Sequence, residues 1–398
     1  MLTFIYLLDS TLSMNLWKVY AYKFLKSQMF ISGVLVPFFT GWGRISFTQI
    51  MLLQTVFVFS VFFFEVPSGA FADRFGRKTS LAASGIVSAL AALLYSSYPH
   101  YLIFIAAEFI WAAGFALVSG ADEALVYDTL KQHKKEKLSK ETLGRLHSSE
   151  LAGYMVAAPI GSVIAATLGL RYTMMLMAIP MLAAFLLALT FEEPKRIRER
   201  ESYFQTLKNG VRYFRSHRIL KLLAFDRISI GALAFFIIWM YQPKLIGLNV
   251  PIIFFGFVHA GMAGLEIVIA NTFPYLERVL GKKSRYLLLS SVVTGISFIV
   301  LGLTESAILA VACILVGSGF GLSRFVVCQN YMNKFIESSR RATVISTVSM
   351  MEQFAKGVMY PFMGLLVEWS LSGALIAVGC AILGFSLISR VEEGHLIE

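Results

Sequence analysis

The 398-residue chain is 57% apolar and only 15% charged, with a mean hydropathy of +0.70, which excludes an ordinary soluble domain and implies an integral membrane protein. Its formal charge of +11 resides mostly in short connections between apolar runs, so it reads as a topology signal and not as a nucleic-acid footprint. Cys313, Cys328 and Cys380 fall inside apolar runs without CxxC or Cys/His spacing, so neither a disulfide framework nor a metal site is indicated.

Met1 to Met14 is apolar but broken by Asp9, too short to span and followed by no small-residue cleavage site. Residues 1–18 therefore read as a flexible or interfacial lead. Twelve apolar runs follow, against the roughly 20 residues that cross a bilayer: Val19 to Phe39, Thr48 to Ala72, Thr79 to Ser97, Tyr101 to Leu130, Leu146 to Leu168, Tyr172 to Thr190, Ile219 to Tyr241, Ile252 to Leu276, Arg285 to Leu303, Ser306 to Phe335, Ala342 to Val367 and Leu371 to Ser389. Between the sixth and seventh, Tyr203, Phe204, Leu207, Val211 and Phe214 recur at helical spacing opposite Lys208, Arg212 and Arg215. An amphipathic helix on the inner membrane surface is expected there. The organisation is thus a six-helix bundle over 19–190, a cytoplasmic linker over 191–218, a second bundle over 219–390 and a tail over 391–398.

The connections on one side carry Arg74, Arg77 and Lys78; Lys131, Lys134, Lys135, Lys137, Lys140 and Arg145; the basic run from Lys195 to Lys221; Arg278, Lys282, Lys283 and Arg285; and Lys334, Arg340 and Arg341. Those on the other side hold Arg44, Arg171 and Lys244. This asymmetry places both termini in the cytoplasm of a bacterial-type inner membrane. The halves also repeat each other: Gly43 and Gly247, Asp73-Arg74 and Glu277-Arg278, Gly114-Phe115 and Gly319-Phe320, and Pro159 and Pro361 stand 204, 204, 205 and 202 residues apart. Four matches in order at nearly one spacing argue for duplicated six-helix halves, an architecture that binds its substrate between them.

The segment Gly69-Ala-Phe-Ala-Asp73-Arg74-Phe-Gly76-Arg77-Lys78 matches, at every defined position, the pattern Gly-x-x-x-Asp-Arg-x-Gly-Arg-Lys/Arg. It resembles the loop between the second and third helices of the major facilitator superfamily, and with the twelve spans and the half-repeat the resemblance covers almost the whole chain. What it implies is an all-α membrane fold of two pseudo-symmetric bundles, in which this loop latches the inner side of the outward-facing state. Asp73 is then expected to accept hydrogen bonds at the start of the eleventh helix, where free N–H groups and the helix dipole favour an anion. Arg77 is expected to pair with Asp128 in the fourth, and Gly69 and Gly76 to allow close helix approach and a tight turn. Arg74 and Lys78 complete the basic cluster. A softer resemblance is that of Gly153-Tyr-Met-Val-Ala-Ala-Pro159-Ile-Gly161 to the Gly- and Pro-containing motif of antiporters in that superfamily, with Ala158 in place of the glycine before proline. The arginine that drug/proton antiporters carry four residues before a glycine of the fourth helix is absent; Ile110 stands there, before Gly114, and the nearest ionisable residue is Glu108.

An uncompensated charge at the bilayer centre costs at least about 2.5–3.5 kcal/mol, so ionisable groups within spans should face a cavity or a partner. Glu266 lies near the middle of the eighth span, and Glu352 and Lys356 sit i, i+4 on the eleventh, spaced to neutralise each other. Asp122 and Glu123 follow Gly120 in the fourth, and because the resemblance implies that the first, fourth, seventh and tenth helices line the cavity, Arg324 in the tenth is expected to meet one of them across it. Either a gate or a ligand set would result. No HExxH, Gly-x-Ser-x-Gly, Cys/His cluster or GxxxxGK[ST] loop is present, so neither enzyme chemistry nor a cofactor is indicated. The expected function is proton-coupled efflux of small amphipathic compounds by a monomeric secondary transporter; the rivals are an importer or facilitator of an organic solute, an anion among the candidates, and, from another class, a membrane enzyme or lipid scramblase.

Overall fold

The structure, a computed structural model, describes residues 10–194, 203–337, 340–389, 391 and 393–396. All regular structure among them is helical. The chain forms two compact units, one of Met1–Ile45 and Val56–Arg200, the other of Ser46–Thr55 and Glu201–Glu398.

The first unit contains α1 (Ser10–Lys26), most of α2 (Phe47–Phe75), α3 (Arg77–Tyr95), α4 (Tyr101–Ala116), α5 (Ala121–Gln132), α6 (Ser139–Thr167) and α7 (Leu170–Ala188). Leu12, Leu16, Val19 and Tyr22 recur at helical spacing along α1 and pack with Leu81, Leu125, Leu130 and Leu146. Helical packing therefore begins inside the segment expected to be a lead, while Met1 to Asp9 lie outside the described residues. Nor is the first expected span one continuous helix. After Lys26 the backbone turns irregularly through Phe30, and a π-type stretch at Phe38–Trp42 follows. The fourth expected span is also broken, at Gly120, whose φ of 70° opens a left-handed turn between α4 and α5.

The second unit contains α8 (Tyr203–Ser216), α9 (Arg218–Phe235), α10 (Ile237–Gly247), α11 (Phe255–Leu280), α12 (Lys283–Leu303), α13 (Ala307–Lys334), α14 (Arg341–Trp369) and α15 (Leu371–Ile388). Helix α8 lies where the amphipathic helix is expected, and its Tyr213 and Phe214 are buried with Leu220, Tyr286, Val327 and Val344. Its apolar stripe is thus covered by protein, at least over that last turn. The side chains of residues 203–209 lie outside the description.

Among the described residues, ten of the twelve expected spans correspond to helical segments long and apolar enough to cross a membrane. The two others fall short for local reasons. The described part of α1 has 17 residues and ends at Lys26, and α14, although it has 29, carries Glu352, Gln353 and Lys356 in one stretch.

The two units share one capping device that the sequence reading missed. Glu193, just after α7, accepts hydrogen bonds from the backbone N–H groups of Arg77 (2.9 Å) and Lys78 (2.7 Å) at the start of α3. Glu393, just after α15, accepts from those of Lys283 (3.0 Å) and Ser284 (2.9 Å) at the start of α12. Each carboxylate satisfies otherwise orphaned helix N-terminal donors and meets the positive end of the helix dipole. The signal lay in the repeated pairs Glu192-Glu193 and Glu392-Glu393, 200 residues apart.

Candidate functional site

In the first unit the ionisable groups converge on Lys23. Its Nζ lies 2.7 Å from Asp122 Oδ2 and 3.4 Å from Glu150 Oε1. Glu150 Oε2 in turn lies 3.3 Å from His147 Nδ1. The local cause is the break at Gly120, because α5 restarts there with Asp122 and Glu123 in its first turn, where the helix dipole favours acids. One ammonium thus faces two carboxylates, with Glu123 next in the chain. Lys26, one turn on from Lys23, donates to Ser88 Oγ at 2.6 Å on α3. Glu108 is buried on α4.

In the second unit the most enclosed pair is Asp226 with Arg324, their side chains 1% and 2% exposed. Arg324 Nη2 lies 2.7 and 2.8 Å from the two Asp226 oxygens, and Nε lies 3.0 Å from Oδ2. Its Nη1 donates to the Leu287 carbonyl (3.0 Å) and Ser291 Oγ (2.9 Å), and Ser389 Oγ donates to Asp226 Oδ1 (2.9 Å). Every nitrogen of this guanidinium is engaged. A polar cavity of about 230 Å³ opens beside the pair, with Ser284, Arg285 and Ser386 among its lining residues.

The neighbouring cluster is less complete. Arg227 Nε and Nη2 each lie 3.0 Å from Glu352 Oε2, and Lys356 Nζ lies 3.0 Å from Glu352 Oε1. Two cations share one carboxylate, and Arg227 Nη1 is buried without a hydrogen-bond partner. Lys356 Nζ stands 4.4 Å from the centroid of the Phe235 ring, and Arg227 Cζ 5.6 Å from that of Phe325.

These contacts correct the expected pairing of Arg324 with Asp122 or Glu123. Each charge finds its partner inside its own unit, Arg324 at Asp226 and Asp122 at Lys23. Asp226 and Arg227 escaped the sequence reading, although two adjacent charges inside the apolar run Ile219 to Tyr241 were the signal. Lys23, inside the first expected span, is the hub of its cluster. Glu266 is half-buried on α11.

Within Gly69 to Lys78, the Arg77 guanidinium meets the Asp128 carboxylate and the Ala124 carbonyl. Gly76 takes φ 109°, a conformation L side chains rarely adopt, at the corner between α2 and α3. A Cβ at Gly69, by contrast, would meet nothing within 4 Å, so close approach is not required there. Arg74 lies over the Phe75 ring and Asp73 on the last turn of α2. The glycines of the antiporter-like segment have a packing explanation. A Cβ on Gly161 would collide with the Phe30 carbonyl, and one on Gly153 would fall 2.7 Å from the Phe24 carbonyl oxygen, so α6 packs directly on the last turn of α1 and on the irregular backbone after it. Pro159 sits between them in the helix interior.

The model of the Major Facilitator Superfamily matches residues 1–358. The chain is 23% identical over 375 residues to the MFS-type transporter YxaM of Bacillus subtilis, covering 88% of this chain and 90% of that one. It is 25% identical over 240 residues to a glucose/galactose transporter of Brucella abortus, a match that covers 55% of this chain and spans 56% of that relative's length. Among solved structures it is similar to a bacterial homologue of the human lysosomal transporter Spinster, at a TM-score of 0.76 and 13% identity over 98% of this chain and 97% of that one. It is also similar to the nucleoside transporter NupG, at a TM-score of 0.73 and 14% identity over 94% of this chain and 96% of that one.

Proposed function

Because this chain belongs to the major facilitator superfamily, we propose that it is a proton-coupled secondary transporter that carries a small organic solute by alternating access. The observation that supports the coupling is the Lys23 cluster, where Asp122 and Glu150 contend for one ammonium inside the first unit. With His147 beside Glu150 neutral, the two carboxylates outnumber the one ammonium, and a proton taken up at His147 or at a carboxylate would balance them. Asp73, Arg77 and Asp128 act in this reading as the latch, and the Arg227–Glu352–Lys356 cluster as part of the solute path.

The test is flux in proteoliposomes under imposed pH gradients of both signs. The solute panel contains glucose, galactose and a nucleoside, prompted by the names of similar proteins, together with amphipathic amines and carboxylates. Solute movement that follows the gradient, accompanied by a proton signal from a lumenal dye, is expected; its sign assigns export or import. Transport that ignores the gradient in both directions would exclude proton coupling. Replacing Asp122 by Asn together with Glu150 by Gln is expected to abolish the gradient response while solute counterflow persists.

A further inference from the structure

The contrast between two neighbouring arginines carries a conclusion about cargo. Asp226 satisfies Arg324 and is itself satisfied by Arg324 and Ser389, so it has no capacity to spare for Arg227. Arg227, 6% exposed, presents one edge to Glu352 and leaves Nη1 buried without an acceptor. Lys356, 5% exposed, adds a second positive charge on the same carboxylate. The cluster therefore holds one positive charge more than it holds negative ones. Such an excess is costly in a membrane span unless something neutralises it.

The surrounding surface describes what that something is. Along the facing sides of the α9–α10 segment and α14, the contacts form a ladder: Arg227 with Glu352, Phe235 with Lys356, and Trp239 with Tyr360, whose rings lie 6.2 Å apart. The second orphaned polar group on this ladder, Trp239 Nε1, is also a donor. Donors without acceptors call for a ligand that accepts. Gly231 brings the Phe325 ring against α9, where a Cβ would stand 2.7 Å from that ring, so the charged rung is flanked by two aromatic rings, Phe235 and Phe325.

From this geometry we infer that the second unit binds an organic monoanion with an apolar body, its carboxylate at Arg227 Nη1 and Lys356 and its body against Phe235 and Phe325. A planar carboxylate matches the guanidinium fork, and its single charge matches the excess of one. A phosphate monoester, at about −1.5 to −2, would overshoot it. The inference rests on the transporter reading only in making this anion the cargo.

The test uses the purified full-length protein in low-chloride detergent buffer, with benzoate, benzamide and benzylammonium as probes of one ring and three charges. Benzoate is expected to raise the melting temperature saturably, whereas the other two leave it unchanged. Arg227→Gln is expected to raise the half-saturating benzoate concentration at least tenfold. Lys356→Gln, which leaves Glu352 paired with Arg227, is expected to do the same and provides the measurement if the first variant does not fold. Without ligand, either neutralisation removes the excess charge, so the melting temperature is expected to hold or rise. The inference is overturned if benzamide or benzylammonium stabilises as well as benzoate, if benzoate has no effect, if chloride alone stabilises equally, or if both variants bind benzoate as the parent does. A fall in ligand-free melting temperature in both variants would overturn it too, since it would make the cations structural. Benzoate binding without flux of any solute would instead defeat the transport reading and leave the anion site standing. Flux of a neutral solute with benzoate ignored would do the reverse.

Discussion

Removing Arg324 strands the Asp226 carboxylate in a site where it is 1% exposed. Breaking a buried ion pair from one side costs about 3–5 kcal/mol, mostly because the remaining charge keeps its desolvation penalty and loses its compensation. Arg324→Leu is therefore expected to lower the yield of folded protein and its melting temperature sharply. Adding Asp226→Asn to it should restore much of the loss, since an amide carries no charge to strand. A double variant no more stable than the single one would show that the pair is not the unit of stability. The same logic separates Arg324 from Arg227, whose removal leaves Glu352 still paired with Lys356. Sequence alone could not make this distinction. It shows which charges lie in spans, whereas which oxygen each nitrogen reaches depends on helix rotation.

Two devices operate at the scale of elements. The first is the contact of α6 with the unwound chain after α1, where a side chain on Gly161 has no room. Gly161→Leu is expected to destabilise the protein by about 1–3 kcal/mol or more through forced separation, whereas Gly69→Ala, in open space, should stay within about 0.5 kcal/mol. Thermal unfolding of the two variants side by side reads the difference. The second is the carboxylate cap on α3 and on α12. Partial burial pushes the Glu393 carboxyl up, but the N–H groups of Ser284 and Lys283 outweigh it and hold it below the usual carboxylate range. A depressed value means the cap's contribution is fully present above the unfolded value of about 4.3 and is lost as pH falls through the folded one. Glu393→Gln should thus cost about 0.5–2 kcal/mol at pH 7, the range for losing a helix N-terminal cap. The gap between parent and variant should narrow as pH falls through the folded value, and a gap that stays constant with pH would refute the charge-based account. Periodicity located these helices because the apolar runs are long. It missed the breaks after Lys26 and at Gly120, because single residues and π-type turns leave little mark on an apolar average.

For the whole molecule, replacing Asp73 by Asn is expected to slow transport several-fold while leaving solute affinity nearly intact. That is the behaviour of a residue that sets the rate of conformational exchange; a large loss of affinity would place Asp73 in the binding path instead. The family, the helical class, the half-repeat and the Gly69–Lys78 segment were all legible in the sequence. They depend on hydropathy, spacing and short patterns, which are properties of the chain read in order. The site was legible only in part. Glu352 and Lys356 could be paired from their i, i+4 spacing because a single helix fixes that geometry. The partners of Arg324 and Asp122 could not, because those pairs join different helices whose tilt and rotation no apolar pattern records. The amino-acid sequence thus determined that charges would be buried in the spans. Only the tertiary structure decided which were satisfied there, since satisfaction is a matter of ångströms between side chains that lie about a hundred residues apart in the chain.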